Sequence, residues 1–222
     1  MNTELHELLY YFNEEGYEGY DLNEVQLLAK IDSDRVDHLK RLLHDENRYL
    51  ACQAMLILIA WSIPEGFEFL DLFIAEKWDE KESFEPHRLH GEDNAYDVIT
   101  NALYIATFNG KSEQELYPYI QQFLHLYGDR FFECNLKDFL LKKDCAPLLK
   151  EIEQAMQKAL ENKRYYQASQ LFPVLVHYDK NTWRKYLDSF RSLISQDNRI
   201  TYNIQEAEKI ADNLLKDGEP LS

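Results

Sequence analysis

Along almost the whole chain, apolar residues return every third or fourth position, the spacing that lines one face of an α-helix. Leu5, Leu8, Leu9 and Phe12 follow this spacing and predict a first helix near Glu4–Asn13. The stretch Glu15–Asp21, with two glycines among tyrosines and acids, reads as a turn, and a helix follows over Asn23–Lys30. Val36, Leu39, Leu42 and Leu43 predict a helix over Asp34–His44, with Asp32, Ser33 and Asp34 as N-cap candidates. Over Asp45–Trp61 apolar residues cover nearly the full circumference, so this helix should be the most deeply buried. Pro64 suits a first helical turn, where its missing N–H would find no partner in any case. The helix it opens runs to about Trp78 with Phe67, Leu70, Phe73 and Ile74 facing inward.

The polar segment Asp79–Gly91 interrupts the pattern. Helical spacing resumes over Asp93–Phe108 and stops at Asn109-Gly110, a C-cap signal. Ser112-Glu113-Gln114-Glu115 has the form of a capping box and begins a helix reaching Tyr127. Further helices are predicted near Leu136–Lys142, Ala146–Glu161, Arg164–His177, Thr182–Ser195 and Ile204–Lys216, and the tail Asp217–Ser222 should fray. The expected fold class is all-α: about ten helices in antiparallel pairs joined by short turns, without a sheet.

Paired helices invite a search for a repeat. Asp45-Glu46-Asn47-Arg48-Tyr49 aligns with Glu92-Asp93-Asn94-Ala95-Tyr96 at an offset of 47. At that offset Leu56 falls on Leu103, Leu58 on Ile105, Trp61 on Phe108 and Phe73 on Ile120. Lys163-Arg164-Tyr165 opens a third helix pair with a weaker match. In Asp45, Leu56, Leu58 and Pro64 of one unit, and Asp93, Leu103 and Ile105 of the next, the chain resembles the HEAT-like helical-repeat class. The resemblance covers about residues 32–196, and the basic residue usual late in the second helix of such units has no clear match here. It implies a short α-solenoid presenting an extended recognition surface. Within one domain over 1–222, residues 1–31 would then cap the array, 32–196 form the repeats, and 197–222 add a last helix and tail. HEAT-like chains also serve as small acidic immunity proteins that neutralise bacterial toxins. The size and charge of this chain look like that group.

Charge sharpens the picture. The formal net charge is −16, and residues 1–100 hold 23 acids and 8 bases while 101–222 hold 17 and 16. A field of that sign repels nucleic acid and anionic membrane, and it speeds encounter with a basic protein surface. Apolar residues make up 45%, too much for a disordered chain. The acidic N-terminus lacks a signal-peptide pattern, and the longest apolar run, Ala54–Trp61, is far below a membrane span. Cys52, Cys134 and Cys145 are odd in number and widely spaced, which reads as reduced core thiols in a cytoplasmic protein.

No catalytic or metal pattern stands out, and no cofactor is expected. His87-Arg88-Leu89-His90 with Glu92 and Asp93 offers two histidines in a polar loop, short of the three or four converging ligands that zinc needs. His6-Glu7-Leu8-Leu9-Tyr10 begins like a zincin helix but has Tyr10 in place of the second histidine. On a HEAT-like frame the enzyme alternative is a DNA-glycosylase type. Lys142-Lys143, Lys163-Arg164 and Arg184-Lys185 beside Tyr165, Tyr166, Trp183 and Tyr186 would supply its basic and aromatic groove. Residues 101–222 are nevertheless net −1, which predicts those bases paired with acids such as Glu161, Asp179 and Asp188.

The expectation is therefore a protein-binding module without enzymatic activity, an acidic inhibitor of a basic protein such as a toxin domain. A general adaptor or scaffold is the alternative. The expected docking face is the acidic stripe and loop of Glu65, Glu68, Asp79, Glu80, Glu82, Glu85, Glu92, Asp93 and Asp97, with Trp78 and Phe84 as exposed aromatic anchors.

Overall fold

The computed structural model describes residues 3–14, 16–86 and 91–216, without the side chains of 214–216. The predicted fraying tail and the His87–His90 cluster lie outside the described residues. The chain packs as two compact units, residues 1–112 and 113–222.

In the first unit α1 (Thr3–Tyr10) leads into a hairpin of β1 (Tyr11–Glu14) and β2 (Tyr17–Tyr20), followed by α2 (Leu22–Gln26), α3 (Ser33–Leu42), α4 (Arg48–Ala60), α5 (Pro64–Ala75) and α6 (Ala95–Ala106). The hairpin corrects three expectations: a helix to Asn13, a turn over Glu15–Asp21, where β2 runs, and a fold without a sheet. The strands are antiparallel with Tyr11 opposite Tyr20 and Phe12 opposite Gly19. Arg35 on α3 explains where α1 stops. Its guanidinium donates to the Leu8 carbonyl at 2.6 and 2.9 Å and to the Tyr11 carbonyl at 2.8 Å, giving orphan groups at the helix end a partner. Gly19 lets the hairpin close, because a Cβ there would meet the Phe12 ring at 3.1 Å.

α4 is the centre of this unit and contacts α1, α2, α3, α5 and α6. Every residue from Ala51 to Ala60 is buried, as its all-round apolar pattern requires. Asn47 caps it by accepting from the Tyr49 N–H at 3.1 Å, so the helix starts three residues later than its acidic approach suggests. α5 lies close against α4 at Gly66, where a Cβ would sit 2.8 Å from the Ile59 nitrogen. α2 is held to the end of α4 by the Trp61 indole, which donates to the Val25 carbonyl at 3.1 Å.

The second unit contains α7 (Glu113–Leu126), α8 (Asn135–Lys142), α9 (Leu149–Glu161), α10 (Tyr165–Tyr178), α11 (Asn181–Leu193) and α12 (Ile200–Lys216). Here α10 plays the part of α4: residues Gln167 to Val176 are all buried, and α8, α9, α11 and α12 pack around it. A buried polar network ties it to the segment after α7. The Gln167 amide donates to the carbonyls of Tyr127 and Arg130 and accepts from the Phe132 N–H, while the Tyr127 hydroxyl donates to the Gln167 carbonyl at 2.7 Å.

Helix bounds follow the 47-residue offset, since α4 maps onto α6 and α5 onto the first part of α7. Leu56, Leu58, Phe73 and their counterparts Leu103, Ile105 and Ile120 are all buried. The match fails at one position: Trp61 is buried, whereas Phe108 is 65% exposed. Cys52 and Cys145 are core thiols with pKa values raised by burial, but Cys134 is exposed at the start of α8, contrary to the expectation for all three. Among the described residues no helix is long and apolar enough to cross a membrane.

Candidate partner-binding face

The acidic stripe sits on the outer side of α5. Glu68, Asp71 and Glu76 are exposed there, and Glu65 pairs with Lys40 of α3 at 2.8 Å. That hydrogen bond holds the Glu65 carboxyl below its usual range and raises the Lys40 ammonium. Leu72, one helical turn from Glu68, is 46% exposed in the middle of the stripe.

After α5 the chain turns at Lys77, which adopts a left-handed backbone with φ +50. It then passes through a 3-10 turn at Trp78–Glu80. Trp78 is not an exposed anchor. It is 8% exposed and stands edge-on to Phe69 at 5.1 Å and to Phe73 at 6.0 Å, with the Arg48 guanidinium 4.8 Å above its ring. Phe84 is 3% exposed and lies 5.1 Å from Phe73. Both rings join Phe69, Phe73 and Tyr96 in one aromatic cluster that seats the loop on the helices. The signal for Trp78 is in the sequence, because it continues the inward series Leu70, Ile74 at steps of four. Phe84 carries no such periodic signal.

Three of the expected partner-facing acids, Asp93, Asp97 and Asp79, also turn inward. One Asp93 carboxylate oxygen accepts from the Ser83 hydroxyl at 3.0 Å and from the Phe84 and Glu85 N–H groups at 2.5 and 3.0 Å. The other accepts from the Ala95 N–H at 2.8 Å, at the start of α6. Asp93 is thus the hub of the loop, and its charge serves the backbone around it. Asp97 is 1% exposed within α6. Asp79 is half-buried and accepts from the Tyr96 hydroxyl at 2.8 Å. For Asp93 the physical reason is plain: a loop this long needs its backbone donors satisfied, and a short acid within it does so.

Glu80, Glu82 and Glu92 do face solvent. Glu82 pairs with Arg48 at 2.8 Å, so one arginine clamps the loop by stacking on Trp78 and bridging to Glu82. Glu80 lies 3.8 Å from Lys77. Glu85 is half-buried beside Cys52, Met55, Phe73 and Phe84; burial first and the Asp93 charge second hold its carboxyl above the usual range. Tyr10, at the end of α1, borders this loop. Burial and its hydrogen bond with Tyr49 push the phenol up to about 12, with the charge of Glu85 adding. The face that results is Glu65, Glu68, Asp71, Leu72, Glu80, Glu82 and Glu92, supported from beneath by Trp78, Phe84, Asp93 and Asp97.

Among the described residues no three His, Cys, Asp or Glu side chains converge as a metal-holding group. In the second unit the aromatics beside the basic pairs are largely engaged internally. Trp183 stacks on Phe172 at 5.6 Å, the Tyr186 hydroxyl is bonded to Glu153, and Arg199 lies 4.3 Å over Tyr166. Lys142 pairs with Asp138, Lys185 with Glu153 and Arg191 with Asp188. Of the acids expected to pair with the basic clusters, Asp188 instead faces Arg191, outside those clusters, while Lys142 takes Asp138 and Lys185 takes Glu153.

Compared with protein-family models, with curated proteins and with solved structures, the chain matches none of them.

Proposed function

We propose that this chain is a protein-binding module, an acidic inhibitor of the immunity type that holds a basic protein partner through its first unit. One observation carries the reading. Residues 1–112 hold 23 acids against 9 bases, and residues 113–222 hold 17 against 15, so the excess charge belongs to one folded unit. Such a field raises the on-rate for a basic partner and suppresses acidic ones. The α5 stripe supplies the contact: Leu72 is the apolar centre, and Glu68, Asp71, Glu80 and Glu82 are the rim. A HEAT-like stacking of the helix pairs is part of the proposal, supported by helix bounds that repeat at an offset of 47.

The test is capture from the native host with the full chain as bait, repeated with a Glu68→Lys/Asp71→Lys/Leu72→Ser variant. One basic protein should be retained by the first bait and lost by the second, and that protein should be toxic when expressed without this chain. Equal retention by both baits, or retention of duplex DNA at physiological salt, would overturn the reading.

A further inference from the structure

The β1–β2 hairpin and α2 enclose a second feature, away from α5. Phe12, Glu14 and Tyr17 form one wall and Glu24, Leu27 and Leu28 the other, around about 360 Å³. Phe12 and Leu28 are buried and make an apolar floor. Tyr17 and Leu27 are 70% and 54% exposed, large apolar side chains left in water at the rim. The Tyr17 ring lies 5.4 Å from that of Phe12, tilted by 46°, and is otherwise largely exposed. Glu14 is fixed in place, accepting from the Ala29 N–H at 2.8 Å.

The charged side chains that line this groove, Glu14 and Glu24, are both acidic. In sequence, residues 1–29 hold seven acids and neither lysine nor arginine, the first of these being Lys30. Arg35 reaches the hairpin from α3, but its guanidinium is bonded to backbone carbonyls. In the second unit, by contrast, the chain's own cations cover its tyrosines, Arg199 over Tyr166 and Lys185 over Tyr186. Among the described residues no cation lies over Tyr17.

We propose that this groove seats a lysine or arginine side chain from an extended segment of the basic partner. The proposal rests on the reading of the chain as a binder of a basic protein. The aliphatic stem of such a side chain matches the floor of Phe12 and Leu28, as long charged side chains commonly lay their methylenes on apolar surface. Its head group meets Glu24 and Glu14, and the exposed ring of Tyr17 adds a cation–π contact. A second copy of this chain brings the same negative charge and is repelled.

The probe is a short end-blocked synthetic peptide alternating lysine and valine, titrated into the isotope-labelled full chain and followed by amide shifts. The control is the same peptide with glutamate in place of lysine. The lysine peptide should shift Phe12, Tyr17, Leu27 and Leu28, and the control should not. Tyr17→Ala and Leu27→Ser should each weaken binding about ten-fold without changing the circular dichroism, since both side chains are exposed. Shifts confined to α5 and residues 79–86 would overturn the groove and leave the basic-partner reading standing. Silence throughout would overturn both. Equal shifts with the glutamate peptide, or groove shifts that grow with protein concentration alone, would show an apolar or self-association site and overturn the proposal.

Discussion

The two units use the same helical grammar and treat their polar groups in opposite ways. In the second unit charges find partners inside the unit: Lys137 with Glu206 at 2.9 Å, Lys158 with Asp129 at 2.5 Å, Lys185 with Glu153 at 2.7 Å. The first unit pairs its cations too, Lys40 with Glu65 and Arg48 with Glu82, but with 23 acids and 9 bases it has too few of them to match its acids. The contrast reaches the cores. Gln167 in α10 has both ends of its amide hydrogen-bonded. Gln26 in α2 is fully buried, and neither its nitrogen nor its oxygen has a partner. Internal consistency of this kind is what a sequence shaped mainly for stability displays, and departures from it gather where a sequence serves function. The second unit meets that standard, whereas the first carries uncompensated charge outside and an unsatisfied amide inside.

Substitutions can break or sharpen this contrast, beginning with the largest effect. Gln167→Leu would remove the hydrogen bonds that Gln167 makes with the Phe132 N–H and the carbonyls of Tyr127 and Arg130, and should cost about 3–5 kcal/mol in denaturant unfolding. A cost under about 1 kcal/mol would mean the network is not what holds that segment to α10. Asp93→Ala removes the charged acceptor from the donors of the 83–95 loop and should cost about 2 kcal/mol. Hydrogen exchange at Phe84 and Glu85 should speed up with it, and unchanged protection there would contradict its role as hub. Gln26→Leu is the mirror of the first test. Replacing an unpartnered buried amide with an apolar side chain should stabilise the chain by about 1 kcal/mol. If Gln26 and Gln167 prove equally costly to replace, the two cores do not differ as described.

The smallest effect is in pH dependence. The Glu85 carboxyl lies above its ordinary range because of burial and then Asp93, so the folded state holds its proton more tightly than the unfolded chain does. Its stabilising contribution is full below the ordinary carboxylate value and is lost as pH rises through the folded value. Glu85→Gln should therefore match the wild-type Tm at low pH and exceed it at neutral pH. A variant less stable at neutral pH would show that the Glu85 charge is favourable where it sits.

Much of this architecture can be read from spacing alone. Long segments such as Asp45–Trp61 and Asp93–Phe108 carry enough periodic positions to fix a helix and its buried side. The hairpin cannot be read that way, because Phe12 extends the helical series Leu5, Leu8, Leu9. What ends the helix is Arg35, more than twenty residues away, taking the carbonyls of Leu8 and Tyr11. The acidic face shows the same division. Its sign and location follow from counting charges, whereas the roles within it depend on tertiary contacts. Trp78 is buried because Arg48 and Phe69 cover it, and Asp93 points inward because the loop backbone needs an acceptor. Leu72 lies at a helical step from Glu68, yet spacing cannot reveal that it stays 46% exposed.

The central claim is that recognition belongs to the acidic first unit. The most direct test follows association of the captured partner across a range of ionic strength, comparing two triple charge reversals of the full chain. One carries Glu68→Lys, Asp71→Lys and Glu80→Lys; the other carries Glu161→Lys, Glu208→Lys and Asp212→Lys, exposed acids of the second unit. Both change net charge equally, so bulk charge cannot separate them. The first should slow association about ten-fold or more at low salt and flatten its salt dependence, with the second close to wild type. If the second slows association as much as the first, or more, the interface does not lie on the first unit and the account fails.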